Sequence, residues 1–374
     1  MSPAPDSLTI LQTTYQGDGA GSTQSIFNLA QHLARRGHRV LLGCRAESLL
    51  ARLGRGTGLT VVPLDFTRLR PLSAALRDLI EREKVDVVNA HATRDRRALA
   101  WLRWTRRLPQ ALVVTRRTMP LTSPFELTAI GHTADRTIAV SDAVRRALRR
   151  RLHPRGRLAV VPNGIDLARI DAPIPPSDTL AARAALGDAT GNRAVVLVPA
   201  RRKDQEVLLR ALPLVTHPVT LACVGIEPDA DLAALAAELP PQHSAVFVPF
   251  TDQALAFYRL ARVVALPSRI EGLSQALLEA MALGLPVVAS AAGGNADLIT
   301  PEQTGLLVAP LDSAAWAAAL DRLLGDPTLA GRLGRAATEL VRRDFTLERT
   351  AERTEVVYRE ARARRALLHG EARR

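Results

Sequence analysis

The chain has 374 residues, 47% of them hydrophobic, and a mean hydropathy of +0.03. That is enough for two cores of ordinary domain size and too polar for a membrane bundle, since no run of about 20 uncharged apolar residues occurs. The formal net charge is +13, and residues 91–157 alone carry sixteen arginines against four acids, so an anionic partner such as a membrane surface is expected there. Only 3% of residues are aromatic, which argues against a protein that stacks nucleic-acid bases.

Cys44 and Cys223 each close an apolar run and suit a reducing compartment. The stretch MSPAPDSLTI has no basic segment followed by an apolar one, so no secretory leader is read. A cytoplasmic location is expected, peripheral at the inner face of the cell membrane.

Short β-branched runs alternate with helical stretches of roughly 10–15 residues, the signature of βαβ units and parallel sheets. The first strand is predicted over 8–13, followed by a glycine-bearing turn with Gly19 and Gly21 and a helix over 23–36. This turn lacks the spacing of a dinucleotide fingerprint, and Cys44-Arg45 stand where the strand over 39–43 would carry its acidic residue. Strands over 59–63 and 85–90 come next. His91 directly follows the second of them, and Asp95, expected on the acceptor side, opens the next helix. That helix sets Trp101 and Trp104 among arginines, a composition suited to a membrane interface. The strand over 111–115 runs into Arg116 and Arg117, placed to bind an anionic acceptor or phosphates. Strands over 137–140 and 158–161 and the turn Asn163-Gly164-Ile165-Asp166 complete a first domain, residues 1–170.

Prolines 173, 175 and 176 mark a hinge over 171–178. The pattern then restarts, with strands over 194–199, 219–224, 245–248, 263–267, 286–289 and 305–308 in a second domain, residues 179–345. A charged helix over 347–368 fills the closing segment, 346–374, and is expected to pack back on the first domain. The fold class is therefore α/β: two Rossmann-like, doubly wound parallel-sheet domains facing a cleft. In such sheets ligands bind beyond the carboxyl ends of the strands.

In the second domain those strand ends carry Arg201, Arg202 and Lys203, then Gly225, then Phe250. Lys203 is one of only two lysines in an arginine-dominated chain, which suggests that a point charge is wanted there. Asp229-Ala230-Asp231 has the spacing of a metal motif, but it follows Pro228 and opens a helical run, so helix capping is expected instead. No His/Cys cluster accompanies it, and neither a metal nor a cofactor is expected.

The sharpest signal runs from Pro267 to Val288. Glu271 follows a strand in a loop opened by Gly272, and Glu279 lies eight positions later among Ala276, Leu277, Leu278, Ala280 and Met281. A carboxylate in so apolar a helix needs hydrogen-bond donors, and a ribose diol supplies two. Gly272, Leu273 and Ser274 offer backbone N–H groups at a helix N-terminus, where a pyrophosphate is stabilised by donors and dipole together.

This segment, with Gly293-Gly294 and Thr304-Gly305-Leu306-Leu307-Val308 after it, resembles the family 4 retaining glycosyltransferases of GT-B architecture. The likeness is strong over 267–310 and looser over the first half. It implies that Glu271 contacts the donor sugar and Glu279 the ribose, and that an Arg among 201–202 together with Lys203 holds the diphosphate. It also implies that Gly225 and Phe250 flank the base, that Gly19 and Gly21 face the diphosphate and acceptor, and that His91 approaches the sugar. Ser274 stands where the family has a second glycine, and Asp297 where it has a glutamate.

The implied reaction moves a sugar, with retention and without a metal, from a nucleoside-diphosphate sugar to a hydroxyl of a glycan or lipid-linked acceptor, as in cell-surface glycan or lipopolysaccharide synthesis. The alternatives are a nucleotide-sugar epimerase of the same architecture and a basic nucleic-acid-binding protein.

Overall fold

The computed structural model describes residues 7–18, 20–120, 131–187 and 191–371. The chain forms two compact units, one of Met1–Gly164 with Leu347–Arg374 and one of Ile165–Thr346. The division thus falls between Gly164 and Ile165, ahead of the prolines. Pro176 itself opens the helix Pro176–Leu186, where its missing N–H costs nothing and its fixed φ suits the first turn.

The first unit contains strands β1 (Thr9–Thr13), β2 (Arg39–Cys44), β3 (Thr60–Pro63), β4 (Val87–Ala90), β5 (Ala111–Arg116), β6 (Arg136–Ala139) and β7 (Leu158–Val160). They form one parallel sheet in the order β3-β2-β1-β4-β5-β6-β7. Strands β4 and β5 are buried along their whole length, as continuous apolar runs demand when helices cover both faces. One face packs Ile10, Leu33, Leu42 and Val113 against Val357, Tyr358 and Ala361 of the last helix, Leu347–Glu371. The other packs Leu11, Leu41, Val88 and Leu112 against Leu76, Leu79 and Leu99. Glu355 of the last helix takes the Arg36 guanidinium at 2.7 Å and lies 3.5 Å from His38.

The second unit contains β8 (Ala194–Pro199), β9 (Val219–Val224), β10 (Ser244–Val248), β11 (Val263–Leu266), β12 (Val287–Ser290) and β13 (Leu306–Val308). These form a parallel sheet in the order β10-β9-β8-β11-β12-β13. Its core gathers Val196, Leu221, Val263 and Val288 around the fully buried Trp316.

In each sheet the strand order reverses once, between β1 and β4 in the first and between β8 and β11 in the second. A crevice opens at the carboxyl ends of such a pair because the following connections leave toward opposite faces. His91 follows β4, Arg201–Lys203 follow β8 and Glu271 follows β11, so the candidate residues collect at these two points.

Candidate functional site

At the β8/β11 switch point the two strand-end loops are tied by ion pairs. Lys203 Nζ lies 2.9 Å from Glu271 Oε1 and 3.4 Å from the Ile270 carbonyl. Beside this pair, Arg269 donates to Asp204 through Nε at 2.8 Å and through its backbone amide at 3.0 Å. Asp204 adopts φ +60° to make this turn, a conformation that Asp tolerates better than most residues. Burial alone would raise the Asp204 carboxyl, but the Arg269 donors bring it below its ordinary range.

A third loop closes on Glu271 from beyond β12. The amide of Gly294 donates to the Glu271 carbonyl at 3.1 Å. Gly293, at φ +54°, approaches so closely that a Cβ there would fall on the Glu271 carbonyl oxygen. The Gly293-Gly294 pair therefore has a physical reason: only glycine fits both the left-handed backbone and the contact.

Beyond Glu271, Ser274 caps the helix Gln275–Ala282, its Oγ accepting from the Leu277 amide at 3.3 Å. The amides of Gly272, Leu273 and Ser274 take no acceptor among the described residues. Two turns into that helix, Glu279 has a side chain 17% exposed. Its Oε1 accepts from Arg169 at 2.7 Å and its Oε2 from the Tyr258 hydroxyl at 3.2 Å. Burial, and then the charge of Glu279, push the Tyr258 phenol well above its ordinary value, so it remains a donor. The apolar helix thus finds polar partners within its own unit. Burial of Glu279 by itself no longer calls for an external ligand, although each oxygen keeps a second lone pair.

Of the paired arginines, Arg202 is engaged by Asp229 at 2.9 Å and by Glu206. Arg201 is exposed, and its carbonyl accepts from Gln205 Nε2 at 2.6 Å. Asp229 also caps the helix Ala230–Ala237, accepting from Leu232 at 2.9 Å. Gly225, at φ +104°, turns the chain after β9 and donates to the Val248 carbonyl at 2.8 Å. Phe250, after β10, is 57% exposed.

At the β1/β4 switch point a buried polar network surrounds His91. His91 Nε2 lies 2.6 Å from Gln12 Oε1 in β1. Gln12 Nε2 and Asn89 Nδ2 both donate to the Tyr358 hydroxyl at 2.8 Å, and Thr115 donates to Asn89 Oδ1 at 2.9 Å. His91 Nδ1 has no partner among the described residues. Burial first, then the charges of Arg117 and Arg96, hold the imidazole well below its ordinary pKa, which favours the neutral ring.

Asp95, expected on the acceptor side, is wholly buried. Its Oδ2 accepts from the amides of His91 and Ala92, each at 2.8 Å, so it anchors the His91 turn and faces no solvent. Burial raises its carboxyl to about 6. Arg116 is buried at the end of β5. Arg117 donates to Asn163, and burial lowers its guanidinium to about 10. Gly21 lies in the first turn of the helix Ala20–Arg35 and accepts from Ser25; Gly19 falls outside the described residues.

The arginine surplus over 91–157 divides in two. Arg96 donates to the His91 carbonyl, Arg103 to Asp135 and to two carbonyls, and Arg157 to the carbonyls of Gly131, His132 and Ala134. These arginines are spent inside the fold. Arg97, Arg106 and Arg107 remain at the surface beside Trp101 and Trp104, which are 41% and 61% exposed. Arg70, Arg77, Trp101 and Arg107 line one shallow concavity there.

Sequence reasoning missed Arg169, Tyr258, Asp204 and Arg269 around the glutamates, and Gln12, Asn89 and Tyr358 around His91. Only Asp204 and Arg269, each a neighbour of a strand-end residue already singled out, carried a signal that placed them.

Two family models match the chain: Glycosyltransferase Family 4 over residues 19–169 and Glycosyl transferases group 1 over residues 194–326. The D-inositol 3-phosphate glycosyltransferase of Xylanimonas cellulosilytica is 31% identical, with 93% of this chain and 94% of that protein covered. Its counterpart in Acidothermus cellulolyticus is 36% identical over 56% of this chain and 49% of the relative. In several such relatives the match spans only about half of the relative's length, 42–54%. Among solved structures, Anabaena HepE in complex with UDP-glucose superposes with a TM-score of 0.79 at 22% identity, covering 94% of this chain and 99% of that one. A glycosyltransferase from Rickettsia africae superposes with a TM-score of 0.81 at 19% identity, covering 95% and 98%. At such identities the likeness is one of fold.

Proposed function

Because this chain belongs to glycosyltransferase family 4 and has the GT-B fold, we propose that it transfers a sugar, with retention, from a nucleoside-diphosphate sugar to a hydroxyl of a phosphate-bearing acceptor in cell-envelope glycan synthesis. The observation that carries this reading is the meeting of Lys203 and Glu271 at the β8/β11 switch point, 2.9 Å apart. A cation suited to a diphosphate and a carboxylate suited to sugar hydroxyls are held together there by loops that three strands deliver.

In this reading Lys203 turns from Glu271 to the diphosphate when the donor enters, and Glu271 is released to accept from the sugar. An arginine of the 201–202 pair joins Lys203 on the phosphates. The free amides of Gly272, Leu273 and Ser274 supply further donors to the charge that develops on the leaving group. Glu279 takes the ribose, with Gly225 and Phe250 toward the base. The bond from the anomeric carbon to the diphosphate breaks, the bond to the acceptor oxygen forms on the same face, and the acceptor proton passes to the departing phosphate oxygen. Neither a metal nor a cofactor takes part.

A phosphate on the acceptor is supported by relatives named for D-inositol 3-phosphate and phosphatidylinositol monomannoside. The exposed Trp101 and Trp104 beside Arg97, Arg106 and Arg107 support contact with an anionic membrane at the cytoplasmic face. No helix among the described residues is long and apolar enough to cross a membrane.

The test is a screen of UDP-glucose and GDP-mannose against inositol phosphate, phosphatidylinositol and lipopolysaccharide-type acceptors, with product configuration read by NMR and EDTA as the metal control. Glu271→Ala should abolish transfer while leaving nucleoside diphosphate binding in place; full turnover by that variant would count decisively against the site. Isomerised donor without acceptor would mark an epimerase instead.

A further inference from the structure

The hydrogen bonds around His91 have a direction. Thr115 Oγ1 donates to Asn89 Oδ1, which turns the Asn89 amide nitrogen toward Tyr358. The Tyr358 oxygen receives Asn89 Nδ2 on one side, and on the other the Gln12 amide is placed with its Nε2 toward the same oxygen, each at 2.8 Å. With its nitrogen committed to Tyr358, Gln12 presents only its carbonyl oxygen to His91, at 2.6 Å. A carbonyl oxygen can only accept, so the proton of the ring sits on Nε2. Gln12, Asn89 and Tyr358 are 0% exposed, so bulk solvent does not reach these groups. The remaining nitrogen, Nδ1, is an acceptor in a residue 8% exposed and has no partner among the described residues.

We propose that Tyr358, on the last helix, is a positioning residue that acts through Gln12 to hold His91 as its Nε2–H tautomer, so that Nδ1 reads a ligand hydroxyl as a hydrogen-bond acceptor. His91 then neither donates to the ligand nor serves as a general acid. The ligand group it recognises is a hydroxyl, and an analogue lacking that hydroxyl leaves the Nδ1 lone pair unmet. This inference rests on the reading that His91 faces the transferred sugar.

Two measurements separate the relay from that reading. In protein labelled with 15N-histidine, the two ring nitrogens of His91, assigned by comparison with His91→Asn, report which one carries the proton. The wild-type enzyme should show Nε2–H alone; Nδ1–H in the wild type overturns the relay and needs no variant to fold. Tyr358→Phe keeps the ring that packs the core and removes only the oxygen, which frees the Gln12 amide to turn. It should show a mixture of tautomers and, with whichever of UDP-glucose and GDP-mannose supports turnover, a kcat lower by roughly tenfold at little-changed KM. An unmixed Nε2–H spectrum in a folded Tyr358→Phe protein also overturns the relay. Mixed tautomers with unchanged kcat would instead overturn the sugar-facing role of His91.

Discussion

Gly293 shows how one residue can set the position of another without touching the ligand. At φ +54°, with its Cα packed against the Glu271 carbonyl, it lets the loop after β12 clamp the backbone from which Glu271 projects. Gly293→Ala imposes a strained backbone, roughly 1–3 kcal/mol, and moves the Glu271 peptide. A shift of about 1 Å in a positioned group costs on the order of 100-fold in rate, so kcat should fall by that order while the protein still folds. Circular dichroism and turnover measured together check both halves. Tyr258→Phe argues the complementary case. It removes one of two internal partners of Glu279 and leaves Arg169 in place. If Glu279 holds the ribose in ground and transition states alike, KM for the donor should rise severalfold with kcat unchanged. A fall in kcat at constant KM would place Glu279 in the chemistry instead.

The elements explain why some of this was legible beforehand and some was not. The thirteen strands among the described residues announce themselves as short apolar runs, and because parallel βαβ units place function at strand ends, His91, Lys203 and Glu271 could be singled out by position, with their roles supplied by the family resemblance. What lay beyond sequence were partners brought in by packing: Tyr358 reaches Gln12 across 346 positions, and Arg169 reaches Glu279 across 110. Nothing local marks such a residue, since a tyrosine on a charged helix has the same spacing whether it is core or surface. Arginine counting is ambiguous for a related reason. Arg96, Arg103 and Arg157 donate to backbone carbonyls of their own unit, a use that composition does not distinguish from a basic face. The last helix is the element on which the first unit most depends. Leu347, Ala351, Val357, Tyr358 and Ala361 are all buried, and the sheet face over Ile10, Val113 and Ile138 has them as its cover. Ending the chain at Thr346 should leave that face open. Hydrogen exchange should then show β1, β4 and β5 unprotected, and native protection in those strands would refute the assignment of this helix to their core.

Across the first unit as a whole, three buried ionisable groups oppose one another in acid. His153, packed against Gly131 and bonded to Thr137 at 3.0 Å, is lowered by burial to about 4 from an ordinary 6.5. His91 is displaced in the same direction. A histidine with a depressed folded pKa contributes stability that is complete above its unfolded value and is lost as pH falls from about 6.5 toward 4. Asp95 has the opposite sign: raised to about 6 from 3.8, it contributes fully below its unfolded value, and that contribution is lost as pH rises through 6. On acidification two histidines therefore destabilise this unit while one aspartate partly compensates. Urea midpoints followed by hydrogen exchange in β1, β4 and β5 should fall between pH 6.5 and 4.5. His153→Gln should flatten that slope, removing a dependence on the order of 2–3 kcal/mol. Asp95→Asn, which keeps an acceptor for the amides of His91 and Ala92, should steepen it, because the one group of these three that gains stability in acid is gone. An unchanged slope in both variants would mean that these burials do not govern the acid limit of the unit. A flattened slope in Asp95→Asn would reverse the sign assigned to its carboxyl.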